Sequence, residues 1–281
     1  MPRRQLGRQL RDLRNRAKMT TRIAAERLEW SEAKIWRIET GQTSLRSFDV
    51  EAMCKIYGAP GDLVAPLTAL AKETKARGWW SVYGDVIADG FEVYIGLEEA
   101  AQRLISYENE LIPGLLQTEG YTRALLSAAR QELSAHEIDR RVEFRKTRQT
   151  MLTRDEAPLR LDVVIGEEAL ARRIGSHEVH VEQLDHLLAL SEVSTVRIRV
   201  VPTASGYHDG LHADRFVMLE FPQTGTDGKV EPPVVYLETF TGSVYLDKEA
   251  EIAKYRRAFE GIEAVAVDAR QGIELARTRS A

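Results

Sequence analysis

Thr20–Gly41, TTRIAAERLEWSEAKIWRIETG, decides how the first part of the chain folds. Ala24, Ala25 and Leu28 recur on one face of a first short helix, and Ile35 and Ile38 on one face of a second. Ser31 stands where a hydroxyl accepts an orphan amide of the second helix, and Gly41 where a left-handed residue ends it. Two helices this short are not stable alone. Small Ala24 and Ala25 let the second helix pack closely across the first and leave its outer face free. A helix-turn-helix offers a recognition helix to a DNA major groove in this way. Pairs of short amphipathic helices also occur throughout helical proteins, so spacing alone leaves a purely structural role open.

The outer face bears on that choice. With Ile35 and Ile38 turned inward, Glu32, Ala33, Lys34 and Arg37 turn outward. Lys and Arg donate to guanine O6 and N7, Glu accepts from cytosine N4, and Ala meets a thymine methyl. Charge points the same way. The formal net charge is -4, yet residues 1–77 hold 16 Lys+Arg against 9 Asp+Glu, a net of +7. The remainder holds 23 against 34, a net of -11. A basic segment ahead of a larger acidic one implies a polyanion-binding module carried by a sensing or partner-binding body. Leu6, Leu10, Leu13 and Ala17 recur at helical spacing, so Arg3, Arg4, Arg8, Arg11 and Arg16 belong to a folded helix rather than a solvated tail.

The length, 281 residues, suffices for two domains, expected over 1–77 and 78–281. A single cysteine, Cys54, excludes an internal disulfide and every metal motif built on several cysteines. No apolar run approaches the roughly 20 residues that span a membrane. The N-terminus, MPRRQLGRQL, lacks a signal-peptide core. These features predict a soluble, cytoplasmic protein without a cofactor.

Turn signals divide residues 5–76 into five short helices, about 5–17, 20–28, 31–39, 48–57 and 62–76. Beyond Gly78-Trp79-Trp80 the character changes. Helical periodicity runs near 97–110, 118–130, 134–154, 167–174 and 178–192, and a charged helix spans about 247–277. Runs rich in branched and aromatic residues predict strands at 159–166, 195–202, 215–221, 233–239 and 242–247, the last two forming a hairpin. The expectation is an all-α N-terminal domain plus an α+β C-terminal domain, not a doubly wound parallel sheet.

At these residues the chain resembles the lambda-repressor/Cro (XRE) class of helix-turn-helix regulators. The resemblance covers about residues 5–76 and is most specific from Ser31 through Ile35 to Arg37-Ile38-Glu39 and Gly41. It implies base reading by Glu32, Ala33, Lys34 and Arg37. Phosphate contacts are implied at Thr21 and in the loop Gln42, Thr43, Ser44 and Arg46. It further implies a structural pair, Arg14 with Glu39. Three positions depart from the class. Glu29 takes the turn position where glycine is favoured, Ala24 replaces a larger core residue, and Trp36 replaces a small polar one. Trp36 is either packed on a sugar or thymine methyl or covered by protein.

Residues 80–281 resemble the C-terminal domain of WhiJ-like actinobacterial regulators. The stretches that carry the likeness are Tyr107-Glu108 with Ile112 to Tyr121, Pro233 to Glu238, Gly242 to Asp247, and Tyr255 to Phe259. The resemblance implies a protein-binding role for the acidic domain, with a small protein partner in an antitoxin-like arrangement. The expected function is transcriptional repression, and because one module reads only a few base pairs, the expected form is a homodimer on a palindromic double-stranded operator. A small-molecule sensor is the alternative, with Trp79, Trp80, Tyr83, Phe91 and Tyr94 lining either a pocket or a domain interface. An enzyme reading finds little chemistry. Tyr207 to Asp214 offers two His and two Asp, but Gly206 and Gly210 predict a polar loop rather than a metal site. His177, His180 and His186 are expected at a surface or in satisfied contacts. Glu167 and Glu168 are expected to cap a helix start.

Overall fold

Capping chemistry sets the path of the N-terminal helices. The computed structural model describes residues 2–73, 78–88, 91–129, 132–222 and 231–280. These fall into two compact units, Met1–Val82 and Tyr83–Ala281. The first unit is five helices: α1 (Pro2–Arg16), α2 (Thr21–Leu28), α3 (Glu32–Glu39), α4 (Ser47–Tyr57) and α5 (Gly61–Glu73). Thr20 caps α2 by accepting from the Ile23 amide, and Ser31 caps α3 by accepting from the Lys34 amide, both at 3.2 Å. Residues 74–77, the predicted end of the fifth helix, lie outside the described residues.

Left-handed residues end three of these helices. Glu29 adopts φ 56°, and the Trp30 amide closes back onto the Ala25 carbonyl at 2.9 Å. A side chain in this conformation costs about 1 kcal/mol, which the surrounding packing absorbs. Gly41 (φ 74°) and Gly58 (φ 66°) end α3 and α4 without that penalty. Gly41 is also needed for space, because a Cβ there would meet the Arg4 Cα at 2.8 Å. Leu6, Leu10 and Leu13 of α1 join Ala24, Ile38, Val50, Met53 and Tyr57 in one buried cluster. Arg14 ties that cluster to α3. Its Nε and Nη2 donate to the two Glu39 carboxylate oxygens at 2.6 and 2.7 Å, and Nη1 donates to the Met19 carbonyl at 2.7 Å. The hydrogen bond to Glu39 raises the Arg14 pKa.

The second unit is α+β around a seven-stranded mixed sheet. Its elements run α6 (Phe91–Ala100), β1 (Arg103–Glu108), α7 (Glu119–Ala129), α8 (Ala135–Gln149), β2 (Arg160–Gly166), α9 (Glu167–Ala171), α10 (His177–Ser191) and β3 (Val196–Val201). There follow α11 (Gly210–Ala213), β4 (Phe216–Glu220), β5 (Val234–Thr239), β6 (Gly242–Leu246), α12 (Glu249–Ala264), β7 (Val267–Asp268) and α13 (Ala269–Ser280). The strand order is β6-β5-β4-β1-β2-β3-β7. The β1–β2 and β2–β3 pairs are parallel and joined by helical crossovers, while the outer pairs are antiparallel.

Two sequence expectations are corrected. The predicted helix 97–110 is the end of α6 followed by β1, the central strand. Leu104 to Tyr107 are all buried, so the segment reads as a short continuous apolar run, which periodicity does not separate from a buried helix. The predicted single helix 247–277 is α12 and α13, broken where Val267–Asp268 pairs with β3. The hairpin around Thr241-Gly242 is present, with Thr239 opposite Gly242.

Arg14→Ala leaves the Glu39 carboxylate buried without its partner. It should destabilise the N-terminal unit by about 3–5 kcal/mol, read as a lower urea or thermal midpoint, and Arg14→Lys should recover only part of this. An unchanged midpoint would contradict the structural role of the pair.

Candidate functional site

The outer face of α3 is built by its inner one. Ile35, Ile38 and Glu39 are buried, which leaves Glu32, Ala33, Trp36 and Arg37 exposed and Lys34 half-buried. Trp36 is 53% exposed, so it is not covered by its own domain. The Thr21 hydroxyl donates to the Glu32 carboxylate at 3.2 Å, linking the starts of α2 and α3. Lys34 Nζ lies 3.4 Å from the centroid of the Trp30 ring, a cation–π contact that holds it along the helix. Among the loop residues, Gln42 and Thr43 are half-buried and Ser44 and Arg46 exposed. Arg46 precedes α4 without capping it through its side chain. Phe48, in the first turn of α4, is 77% exposed and was missed from the sequence, where one aromatic at a helix start carries no signal.

A second site lies in the C-terminal unit. A cleft of about 700 Å³ is lined from β1 by Leu104, Ser106 and Glu108, from α6 by Phe91, Tyr94 and Glu98, and from α8 by Phe144, Arg145 and Arg148. Alternation along β1 places these even-numbered residues toward the cleft, while Ile105 and Tyr107 join the core with Phe259 and Ile262 of α12. Tyr236 and Glu238 of β5 complete one wall.

The charged groups of the cleft are unequally paired. Arg148 is buried and donates through Nε and Nη2 to both Glu98 oxygens at 2.8 Å. Burial works to lower its pKa, and the paired Glu98 overcomes this and raises it. Arg145, one turn earlier, donates instead to the neutral Gln117 Oε1. No carboxylate among the described residues forms a contact ion pair with it, and Glu238 attracts it only from farther off. Burial and then Arg148 push its guanidinium down to about 10. Gln117 is itself fixed: Thr122 Oγ1 donates to its Oε1 at 3.2 Å, and its Nε2 donates to the Ile112 carbonyl at 2.6 Å. Gln149 and Gln183 donate to the Gln117 and Leu116 carbonyls at 2.7 and 2.8 Å, clamping the turn from two helices. Glu108 receives one hydrogen bond, from Ser106 at 3.3 Å, and burial pushes its carboxyl up to about 8 despite the opposing pull of Arg215.

The aromatic set named from the sequence divides. Phe91 and Tyr94 line the cleft, stacked at 5.1 Å. Tyr83 packs against Phe144 and exchanges a hydrogen bond with Thr147, and Trp79 meets Trp80 edge-on within the first unit. The predicted loop 207–214 contains the single turn α11, and His208 Nδ1 accepts from the Gly210 amide. Glu167 does more than begin a helix, since it accepts from the Thr203 amide and from Arg279. His180 departs from expectation: it is buried, and neither ring nitrogen has a hydrogen-bond partner among the described residues. Burial lowers its pKa and favours the neutral ring.

Comparison with known proteins places these features. A family model described as a domain of unknown function, DUF5753, matches residues 91–277. A second model, described as a helix-turn-helix domain, matches residues 5–67 and points to a DNA-binding transcriptional regulator. No curated protein and no solved structure matches the chain. No helix among the described residues is long and apolar enough to cross a membrane.

Glu108 makes stability depend on pH. Its ordinary pKa is 4.5, so between about 4.5 and 8 the folded chain holds a proton that the unfolded chain has released. Stability of the C-terminal unit should therefore fall as pH rises through this window, by on the order of 2 kcal/mol once water in the cleft screens part of the effect. Urea midpoints at pH 5 and 8 should converge in Glu108→Gln; an equal slope in both proteins would remove Glu108 as the cause.

Proposed function

Because the chain belongs to the DUF5753 family and carries a helix-turn-helix domain ahead of that region, we propose that it is a sequence-specific repressor of transcription. A DNA-reading module over residues 1–77 docks α3 into the major groove of an operator, and a regulatory module over 78–281 gates that binding. The observation that carries this reading is the outward face of α3, where Arg37 and Ala33 stand exposed beside the partly sheltered Lys34. Arg37 and Lys34 read guanine, Glu32 reads cytosine, and Ala33 touches a thymine methyl. Trp36 packs against a sugar or a thymine methyl. Thr21, Gln42, Thr43, Ser44 and Arg46 hold the phosphates and set the register.

One recognition helix reads only a few base pairs, so the functional form is a homodimer on a palindromic site. The protein acts in the cytoplasm, on the nucleoid when bound. Two gating devices are open to the C-terminal module. A small protein partner is supported by the likeness to WhiJ-like regulators and by the acidic charge of residues 78–281. A small-molecule effector is supported by the cleft, which is concave and lined by apolar and polar groups in similar measure. The cleft is the specific observation that favours the second.

An operator selected from a random-sequence pool tests the DNA-reading assignments. Arg37→Ala should weaken binding to the selected site by about 1–3 kcal/mol and relax preference at one base position. Arg46→Ala should weaken binding to all sequences alike and reduce the salt slope by about one. Gel shifts at fixed salt that find both variants at full affinity would remove α3 and its following loop as the DNA interface.

A further inference from the structure

The contrast between two neighbouring arginines carries an inference that rests on, and deepens, the effector reading of the cleft. Arg148 and Arg145 lie three residues apart on α8 and both line the same cavity. Arg148 is neutralised by a bidentate carboxylate, as burial of a guanidinium requires. Arg145 is half-buried in the cleft wall, and its partner is an uncharged amide. That amide is held by the Thr122 hydroxyl of α7 and the Ile112 carbonyl, so the guanidinium is positioned without being neutralised. A fixed, half-buried cation that Glu238 attracts only from farther off, with no carboxylate among the described residues in contact with it, is costly to the free protein and is stabilised when an anion arrives.

We propose that the cleft binds a small organic monocarboxylate whose anionic group pairs with Arg145 and whose apolar body lies against Phe91, Tyr94, Leu104 and Tyr236. The volume, about 700 Å³, suits a molecule of drug-like size. Charge count selects a monoanion. Glu98 already satisfies Arg148, and Arg215, also in the lining, lies 3.9 Å from Glu238. Glu238 in the same lining disfavours a doubly charged phosphate. Glu108, which no cation pairs with among the described residues, offers a second anchor to a hydroxyl or amine on the ligand.

The test uses the full chain and matched probes: 3-phenylpropionate, indole-3-propionate and hexanoate, each beside its own primary amide. Affinities are read by calorimetry and by saturation-transfer NMR. At least one acid should bind about tenfold or more tightly than its amide, and Arg145→Gln should erase that preference. Removing a half-buried cation that lacks an ion-pair partner should leave the thermal midpoint of Arg145→Gln unchanged or higher. Should that variant fail to fold, Arg145→Lys should keep the preference for the acid in weakened form, because it keeps the charge and loses the fork. Equal binding of acid and amide, no binding of any acid at about 10 mM, or undiminished acid binding by Arg145→Gln would overturn the proposal. Gel shifts on the selected operator with and without the bound acid separate the two claims. An acid that binds through Arg145 and leaves DNA affinity unchanged supports the site and removes the gating reading.

Discussion

A buried charge must be paired, and each unit of this protein is organised around one arginine that obeys that constraint. In the N-terminal unit Arg14 of α1 holds both oxygens of Glu39 at the end of α3. In the C-terminal unit Arg148 of α8 holds both oxygens of Glu98 on α6. A guanidinium fork on a carboxylate admits little rotation, so each pair sets the relative placement of two helices as well as holding them together. The exception then acquires meaning. Arg145, half-buried beside its neighbour, has no carboxylate among the described residues in contact with it, and it stands where a cleft leaves room for one.

The helix pair α2–α3 depends on turn chemistry as much as on the buried pair. Thr20 and Ser31 satisfy the first amides of α2 and α3, and a left-handed Glu29 supplies the corner between them. Nothing in this corner requires the outer face of α3, so Ala33, Trp36 and Arg37 are left unburdened by folding. Separation of inner and outer faces lets α3 keep its fold while its exposed residues vary.

In the C-terminal unit the two-residue period of β1 divides labour between faces. Ile105 and Tyr107 enter the core beneath α12, whereas Leu104, Ser106 and Glu108 line the cleft. The strand is central, with parallel β2 on one side and antiparallel β4 on the other. Its end therefore lies among elements distant in sequence, and residues as far apart as Phe91, Arg145 and Tyr236 meet there.

Much of the N-terminal unit was legible because its determinants are local: apolar residues three and four apart, hydroxyl caps and glycine stops act within a few residues of themselves. The Arg14–Glu39 pair followed from a resemblance over the same stretch, and the structure contains it. The class of the C-terminal unit was legible from its order of helices and strands, as was the hairpin at Thr241-Gly242. Other features were not. β1 was mistaken for helix because a strand buried on both faces has no alternation to display, and β7 was invisible because two residues carry no period. The cleft was equally hidden. Arg145 and Arg148 are alike in sequence, and only the tertiary structure gives one a carboxylate from α6 and the other an amide from the 113–118 turn. Sequence by itself determined the N-terminal helices, where most of them stop, and which face of α3 is free, since backbone hydrogen bonding and side-chain period are properties of neighbours along the chain. Only tertiary structure decided which buried charges are neutralised and where a cavity remains, because both depend on long-range packing that no local pattern encodes.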